Sequence, residues 1–151
     1  MRFNTSLIHG TFGTNGKNGP TNIPIYASNS FKYETAEELE QIFSGKKAGF
    51  VYTRLNNPTI DSFEKRIAYL EEGIAAVACS SGMAAIALAI LNIVKKGDEI
   101  LSSSGIFGGT YSLFKSFENF GIKVLFAENS DVESFEKYIN DKTKAIFIET
   151  I

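Results

Sequence analysis

The sequence has no tryptophan, one cysteine and one histidine, and its net charge of −2 leaves little excess of either sign. With His9 alone in a glycine-rich stretch, a histidine-based catalytic triad and a multi-histidine metal site are excluded. Cys79 has no second cysteine to pair with and ends the apolar run 74–79, so we predict that it packs in the core. Because neither charge sign forms a long block, nucleic acid is not an expected partner.

Signals for secretion and membrane insertion are also missing. Residues 1–9 contain no continuous apolar segment followed by a small-residue cleavage site, so we expect a cytoplasmic protein. The most apolar stretch runs from Met83 to Leu91, is interrupted by Asn92, and is too short to span a bilayer. We predict that it forms a buried helix, and we expect no membrane partner.

The sequence has the composition of an ordinary soluble domain. Of its 151 residues, 44% are hydrophobic and 21% are charged. This indicates one domain or part of a larger one. The first sixty residues are polar and rich in glycine and proline, which predicts loop or an extended arm. Within them, Thr35 and Glu38 have the spacing of a capping box, which predicts a short helix reaching Phe43 and ending at Ser44-Gly45.

From Pro58 onward, helical and strand periodicities alternate. The pattern predicts a helix from Pro58 to Leu70, a buried strand 74–79, a helix 82–95, a strand 99–102, a helix 110–120, a strand 122–127, a helix from a capping box at 130–133 that buries Phe135, Tyr138 and Ile139, and a strand 145–149. This order implies right-handed crossovers and an α/β fold, a three-layer, mainly parallel sheet with helices on both faces. Because the sequence stops at the edge of a strand, we expect an incomplete domain.

The turn Ser80-Ser81-Gly82-Met83 is the first candidate binding site. It joins a predicted strand to a helix, so free backbone N–H groups and the positive end of the helix dipole could receive a phosphate there. The alternative is that a serine merely caps the helix. Neither a Gly-x-Gly-x-x-Gly pattern nor a Walker A lysine is present, which argues against a dinucleotide or a nucleoside triphosphate as the ligand.

Two further segments could contact a ligand. Tyr52 and Arg54 lie just before the helix start at Pro58, and a guanidinium can form paired bonds to a phosphate. The alternative for this pair is a solvated arginine beside a packed tyrosine. Phe107 lies in a glycine-rich loop after a strand, where open α/β folds bind ligands and an aromatic side chain could cover a flat ring. That loop could equally be a plain turn that needs glycine.

Taken in order, these segments resemble the Cys/Met-metabolism family of pyridoxal-phosphate enzymes. The resemblance runs along essentially the whole chain, and its motifs stand at residues 5–10, 52–59, 70–73, 80–86, 97–98, 107–111 and 149–151. Tyr-Thr-Arg-Leu-Asn-Asn-Pro-Thr, Phe-Gly-Gly-Thr-Tyr-Ser-Leu-Phe and the terminal Glu-Thr-Ile look like the O-acetylhomoserine sulfhydrylase branch of that family.

The resemblance implies a site for pyridoxal 5'-phosphate. The backbone of Gly82 and Met83, with Ser81 beside them, would hold the cofactor phosphate, which Tyr52 and Arg54 would reach from a neighbouring subunit. Phe107 stands where most of the family has a tyrosine that stacks on the cofactor ring. A phenyl face can stack equally well, but it carries no hydroxyl for proton transfer.

The resemblance also implies an activity and an organisation. Residues 1–59 would be an arm that contacts a neighbouring subunit, and residues 60–151 the first part of the cofactor-binding large domain. The parent enzyme would form dimers with shared sites, and tetramers, and would replace the acetate of O-acetylhomoserine with sulfide or a thiol to give homocysteine or methionine. The family's Schiff-base lysine is absent from this sequence, so we expect the chain alone to be inactive.

Other interpretations stay open at this point. Within the family, the parent could be a cystathionine γ-synthase, a cystathionine γ-lyase or a methionine γ-lyase. Outside catalysis, the chain could be a small α/β domain that binds a phosphate-bearing ligand, or a truncated chain that lends Tyr52 and Arg54 to a longer homologue.

Overall fold

The computed structural model describes residues 2–9, 22–129 and 131–150. The chain divides into two compact units, 1–78 and 79–151. The predicted division at residues 59 and 60 concerns the assembled enzyme and stays a prediction.

In its described residues, the first unit contains three helices: α1 (Phe3–His9), α2 (Ala36–Phe43) and α3 (Pro58–Leu70). Helix α1 corrects the prediction that the start of the chain is loop or arm. Helix α2 confirms the prediction from the capping box, since the Thr35 hydroxyl accepts a hydrogen bond from Glu38 N at 3.1 Å. The carboxylate of Glu38 lies 2.5 Å from the Lys47 ammonium instead of returning to Thr35.

Helix α3 begins and ends where the sequence predicts. Asn57 caps it, Pro58 occupies the first turn, and the helix ends at Glu71. Glu72 follows with a φ of 54°, a left-handed conformation that turns the chain away from the helix axis. The predicted end of the helix at Leu70 is therefore confirmed.

The second unit alternates helices and strands: α4 (Gly82–Ile93), β1 (Glu99–Ser103), α5 (Gly108–Phe117) continued by a 3-10 turn (Glu118–Phe120), β2 (Lys123–Ala127), α6 (Val132–Glu136) and β3 (Thr143–Phe147). The strands form one sheet in the order β2-β1-β3, and both pairings are parallel. The predicted α/β class with a parallel sheet is thus confirmed. Because the strands are parallel, the loops after β1 and β3 emerge at the same edge of the sheet.

A hydrophobic core joins the helices of this unit to its sheet. Strand β1 is buried along its whole length, as expected for the middle strand of a parallel sheet. The Phe114 ring is fully buried and meets the Phe147 ring edge-on, with the centroids 5.0 Å apart. The core comprises Ile90, Val94, Ile100, Phe114, Phe117, Ile122, Val124 and Ala145.

The predicted buried strand at residues 74–79 is wrong. No strand is assigned there, and Ile74 is fully exposed while Val77 is 81% exposed. The N–H group of Ala78 donates to the Glu64 carboxylate at 2.8 Å rather than to a neighbouring strand. An apolar run forms a strand only where another strand lies beside it to pair with. Cys79, predicted to lie in the core, is half-buried.

The prediction that the apolar stretch from Met83 forms a buried helix is half wrong. Helix α4 forms, but it ends at Ile93 rather than Lys95, and only Ile90 is buried within it. Leu88, Leu91 and Ile93 are 59%, 46% and 56% exposed. The helix is apolar on all sides, and only one side contacts the core. In the described ranges, no helix combines the length and apolarity needed to cross a membrane.

The last two elements are shifted from their predicted positions. Helix α6 is capped by Asp131, which accepts from Ser134 N at 2.7 Å, whereas Ser130, the predicted cap, lies outside the described residues. The helix is short, so Ile139 is 50% exposed instead of buried. Strand β3 occupies 143–147 rather than 145–149, because its register is set by its pairing with β1. Glu149 consequently lies beyond the end of the strand.

Candidate functional site

At the start of α4, two backbone donors have no acceptor among the described residues. Ala84 N donates to the Ser81 hydroxyl at 3.1 Å, and Ala85 N donates to the Ser81 carbonyl at 3.0 Å. The N–H groups of Gly82 and Met83 bond to nothing within the ranges that the structure describes. A Cβ placed on Gly82 would meet no atom within 4 Å, so the approach to these groups is open.

Paired free donors at the positive end of a helix suit an anion, and this turn fits a phosphate group. Ser81 does cap the helix, as the alternative interpretation of this turn predicted. Capping is compatible with binding here, because the serine satisfies the third and fourth N–H groups of the helix and leaves the first two available.

Phe107 lies close to this turn, at the residue preceding α5. Its ring is 67% exposed. A Cβ built on Gly109 would lie 2.6 Å from the Phe107 Cε1 and 3.5 Å from the Met83 sulfur. The missing side chain of Gly109 therefore leaves room for both groups, and the structure brings Met83 and Phe107 together at one edge of the sheet.

Glu149 is a site residue that sequence reasoning missed. Its carboxylate accepts one hydrogen bond from Phe107 N at 2.6 Å and another from the Thr110 hydroxyl at 2.7 Å. The available signal was an acidic residue at the end of a predicted strand, near the sheet edge that carries the Phe107 loop. This signal was missed because the predicted strand, 145–149, placed Glu149 inside β3.

Tyr52 and Arg54 lie in the first unit, on a turn that leads into α3. Tyr52 is 43% exposed and forms an antiparallel bridge with Ser30. The Arg54 guanidinium carbon lies 5.4 Å from the centre of the Tyr52 ring, within the range of a cation–π contact. The two predicted binding residues of this unit are thus neighbours with exposed side chains.

Two asparagines hold this turn in place. Asn57 is 3% exposed, and its amide nitrogen donates at 3.0 Å both to the Tyr26 carbonyl and to the Thr53 hydroxyl. Its amide oxygen accepts from Thr59 N at 2.9 Å. Asn56 donates to the Gly49 carbonyl at 2.8 Å. The backbone that carries Arg54 is therefore fixed while its guanidinium remains accessible.

A carboxylate with a perturbed pKa lies at the other edge of the sheet. Glu99 begins β1 and is nearly buried. A hydrogen bond from Asn140 and then the Lys123 ammonium hold the pKa of this carboxyl below its usual range, against the opposing effect of burial. This group stabilises the strand start and is separated from the Phe107 loop by the length of β1.

The chain is similar to known proteins along nearly its whole length. Residues 4–151 match the family described as Cys/Met metabolism PLP-dependent enzyme. An O-acetyl-L-homoserine sulfhydrylase from Leptospira meyeri is 46% identical over 130 residues, which cover 85% of this chain and 29% of that protein. A homocysteine/cysteine synthase from Saccharomyces cerevisiae is 43% identical over 152 residues, covering 99% of this chain and 34% of that one.

A solved structure is also similar to this chain along nearly its whole length. A Campylobacter jejuni protein assigned as an O-acetylhomoserine (thiol)-lyase, whose structure contains N'-pyridoxyl-lysine-5'-monophosphate, superposes with a TM-score of 0.87 at 33% identity. The match covers 97% of this chain and 36% of that one. The chain therefore spans about a third of the length of the relatives it matches.

Proposed function

Because this chain belongs to the family of Cys/Met metabolism PLP-dependent enzymes, we propose that it is the amino-terminal part of an O-acetylhomoserine sulfhydrylase. The complete enzyme would replace the acetate of O-acetylhomoserine with sulfide or a thiol, giving homocysteine or methionine. The observation that carries the proposal is the similarity to an O-acetyl-L-homoserine sulfhydrylase and a homocysteine/cysteine synthase at 46% and 43% identity.

In this proposal the N–H groups of Gly82 and Met83 bind the cofactor phosphate, with Ser81 shaping the turn. Their free donors and the open space at Gly82 support the assignment. When bound, pyridoxal phosphate supplies an electron sink for charge that develops on the substrate carbons. The chain's contribution at this turn is to bind the phosphate and so to fix the position of the ring.

Phe107 would cover one face of the cofactor ring. Its large exposed surface and its closeness to Met83 support this role. A phenyl group can neither donate nor accept a proton at neutral pH. Phe107 would therefore orient the cofactor ring and shield it from water. Any proton transfer near this face must be carried out by another group.

Tyr52 and Arg54 would contact the same phosphate from a neighbouring subunit. An arginine pairs well with a phosphate because its planar donors match two phosphate oxygens. The fixed backbone and exposed guanidinium of Arg54 support this role. The complete enzyme would then be a cytoplasmic dimer with shared sites, or a tetramer made of two such dimers.

The activity is tested on the full-length gene product with O-acetylhomoserine and sulfide. We expect homocysteine and acetate to form in equal amounts, and the protein to carry the visible absorption of bound pyridoxal phosphate. With cysteine supplied in place of sulfide, cystathionine as the main product would favour a γ-synthase. An α-keto acid as the main product would favour a γ-lyase. Cofactor binding without any turnover would favour a binding domain.

A pair of substitutions tests the phosphate turn separately. Gly82→Pro removes one free N–H group, and proline suits this first helical position because Ser81 before it is extended. We expect the affinity for pyridoxal phosphate to fall roughly tenfold, the effect of one charge-assisted hydrogen bond. Gly82→Ala keeps the N–H group and serves as the control. Equal affinities for both variants would contradict the assignment.

The shared site is tested with mixed subunits. Subunits carrying Arg54→Ala would be combined with subunits carrying Gly82→Pro. If the two residues serve the same site from different chains, the hybrid recovers one intact site and part of the activity that both parent variants lose. Hybrids no more active than either parent would show that each chain supplies both residues to its own site.

A further inference from the structure

Helix α5 begins without a capping residue of its own. Phe107 occupies the cap position, and its side chain makes no capping hydrogen bond because a phenyl ring has no acceptor oxygen. Tyr111 N donates to the Phe107 carbonyl at 3.0 Å, which closes the first turn. The N-terminal turn therefore needs an acceptor from elsewhere in the chain.

The acceptor comes from the end of the neighbouring strand. Glu149 follows β3, which pairs with β1, so the parallel arrangement delivers its carboxylate to the loop that leaves β1. One carboxylate oxygen accepts from Phe107 N at 2.6 Å and the other from the Thr110 hydroxyl at 2.7 Å. Thr110 is 1% exposed, so one of these two anchors is buried.

These bonds fix the backbone from which the Phe107 ring projects. The carboxylate holds both ends of the first helical turn, and its negative charge lies at the positive end of the helix dipole. The ring is 67% exposed, so packing around it is sparse. One close neighbour is Gly109, where an added Cβ would lie 2.6 Å from the ring carbon Cε1. The ring direction thus depends on the backbone at residue 107.

We propose that Glu149 is a positioning residue, which orients the Phe107 ring for stacking on the cofactor. The proposal rests on the function proposed above, since it assigns Phe107 to the face of pyridoxal phosphate. Glu149 itself would touch neither cofactor nor substrate through these two bonds. Its effect on binding would pass entirely through the backbone and ring of Phe107.

The first test measures amide hydrogen exchange in the cofactor-free protein. Glu149→Ala removes both acceptors, and we expect the Phe107 amide to exchange at least roughly tenfold faster, as for loss of a hydrogen bond to a charged group. Glu128→Gln is the control, since it removes a carboxylate from an exposed position soon after β2. An unchanged rate at Phe107 in Glu149→Ala would overturn the proposal.

The second test is a double-mutant cycle on pyridoxal phosphate affinity in the full-length protein. We expect Glu149→Ala and Phe107→Ala each to weaken binding about threefold to tenfold, the range of a lost aromatic contact. We expect Glu149→Ala to have no further effect once Phe107 is replaced. Additive losses would mean that Glu149 acts independently of the ring, and would overturn the proposal.

The two tests separate this inference from the proposed function. If the unsubstituted protein fails to bind pyridoxal phosphate, the proposed function fails, and the role of Glu149 toward the cofactor fails with it. The exchange experiment would then still decide whether the carboxylate holds the Phe107 backbone. If the cofactor binds and the cycle is additive, the proposed function stands and only the positioning role is wrong.

Discussion

Single side chains fix the local geometry of both halves of the candidate site. Asn57 is the clearest case, because one buried amide caps α3 and bonds to both Tyr26 and Thr53. A buried amide whose donors and acceptor are all used rigidifies the backbone around it. The turn that carries Tyr52 and Arg54 is held in this way.

Replacing Asn57 should therefore destabilise the protein. Asn57→Ala removes the helix cap and leaves the Tyr26 carbonyl and Thr53 hydroxyl without their donor, so we expect a loss of about 1–3 kcal/mol in the free energy of unfolding. Urea denaturation measures the change. Asn29→Ala, at an exposed position in the same unit, should cost much less. Equal losses for the two variants would contradict the role given to Asn57.

Glu99 should make stability depend on pH in the acid range. Its pKa is lowered from 4.5 in the folded protein, first by the hydrogen bond from Asn140. A lowered folded-state pKa stabilises the protein above the unfolded value, and this stabilisation is lost as the pH falls through the folded value. We expect Asn140→Ala to destabilise the protein more at pH 7 than at pH 3. If Asn140→Ala destabilises the protein as much at pH 3 as at pH 7, the role given to Glu99 is wrong.

Among the elements, those fixed by nearby residues were the ones that the sequence predicted well. Helix α2 follows from Thr35 and Glu38, and α3 from Asn57 and Pro58, since caps act within one turn. Strand β1 was predicted correctly because its apolar pair, Ile100 and Leu101, is bounded by turn signals. The parallel direction of the strands was predicted from the alternation of helices and strands.

Features that depend on distant partners could not be predicted in the same way. The segment 74–79 has an apolar pattern, but a pattern does not supply a neighbouring strand. The register of β3 is set by its pairing with β1, about forty residues earlier in the chain. The predicted strand, 145–149, was therefore displaced, and the predicted position of Glu149 was displaced with it. The free N–H groups of Gly82 and Met83 were predicted, because helix starts always leave such donors.

The end of α5 offers a test at the scale of one element. Gly121 follows the 3-10 turn with a φ of 75°, and a Cβ there would lie 2.9 Å from Lys96 Cγ. Gly121→Ala should lower the free energy of unfolding by about 1 kcal/mol, because a left-handed backbone disfavours a side chain. Gly105→Ala is the control, since its Cβ would meet nothing within 4 Å. A Gly121→Ala variant as stable as the control would contradict this account.

At the scale of the whole molecule, the chain exposes many large apolar side chains. One side of α4 presents Leu88, Leu91 and Ile93 to solvent. In the described part of the chain, β3 pairs with β1 along one edge only. Exposed apolar faces and free strand edges are surfaces on which chains associate. The relatives are about three times as long, which leaves ample chain to cover such surfaces.

The isolated 151-residue chain should consequently self-associate. We expect sedimentation velocity to give species larger than a monomer, increasing with concentration. Leu88→Lys should reduce the association, because it places a charge on the exposed face of α4, whereas Ile90→Lys would disrupt the core instead. A well-folded chain that stays monomeric at all concentrations would contradict the prediction.

A crystal structure of the full-length protein with pyridoxal phosphate would show whether the start of α4 binds the cofactor phosphate. We predict phosphate oxygens within about 2.7–3.2 Å of both Gly82 N and Met83 N, with the Phe107 ring lying over the cofactor ring. A cofactor whose phosphate lies elsewhere, with these two N–H groups open to solvent, would contradict the account.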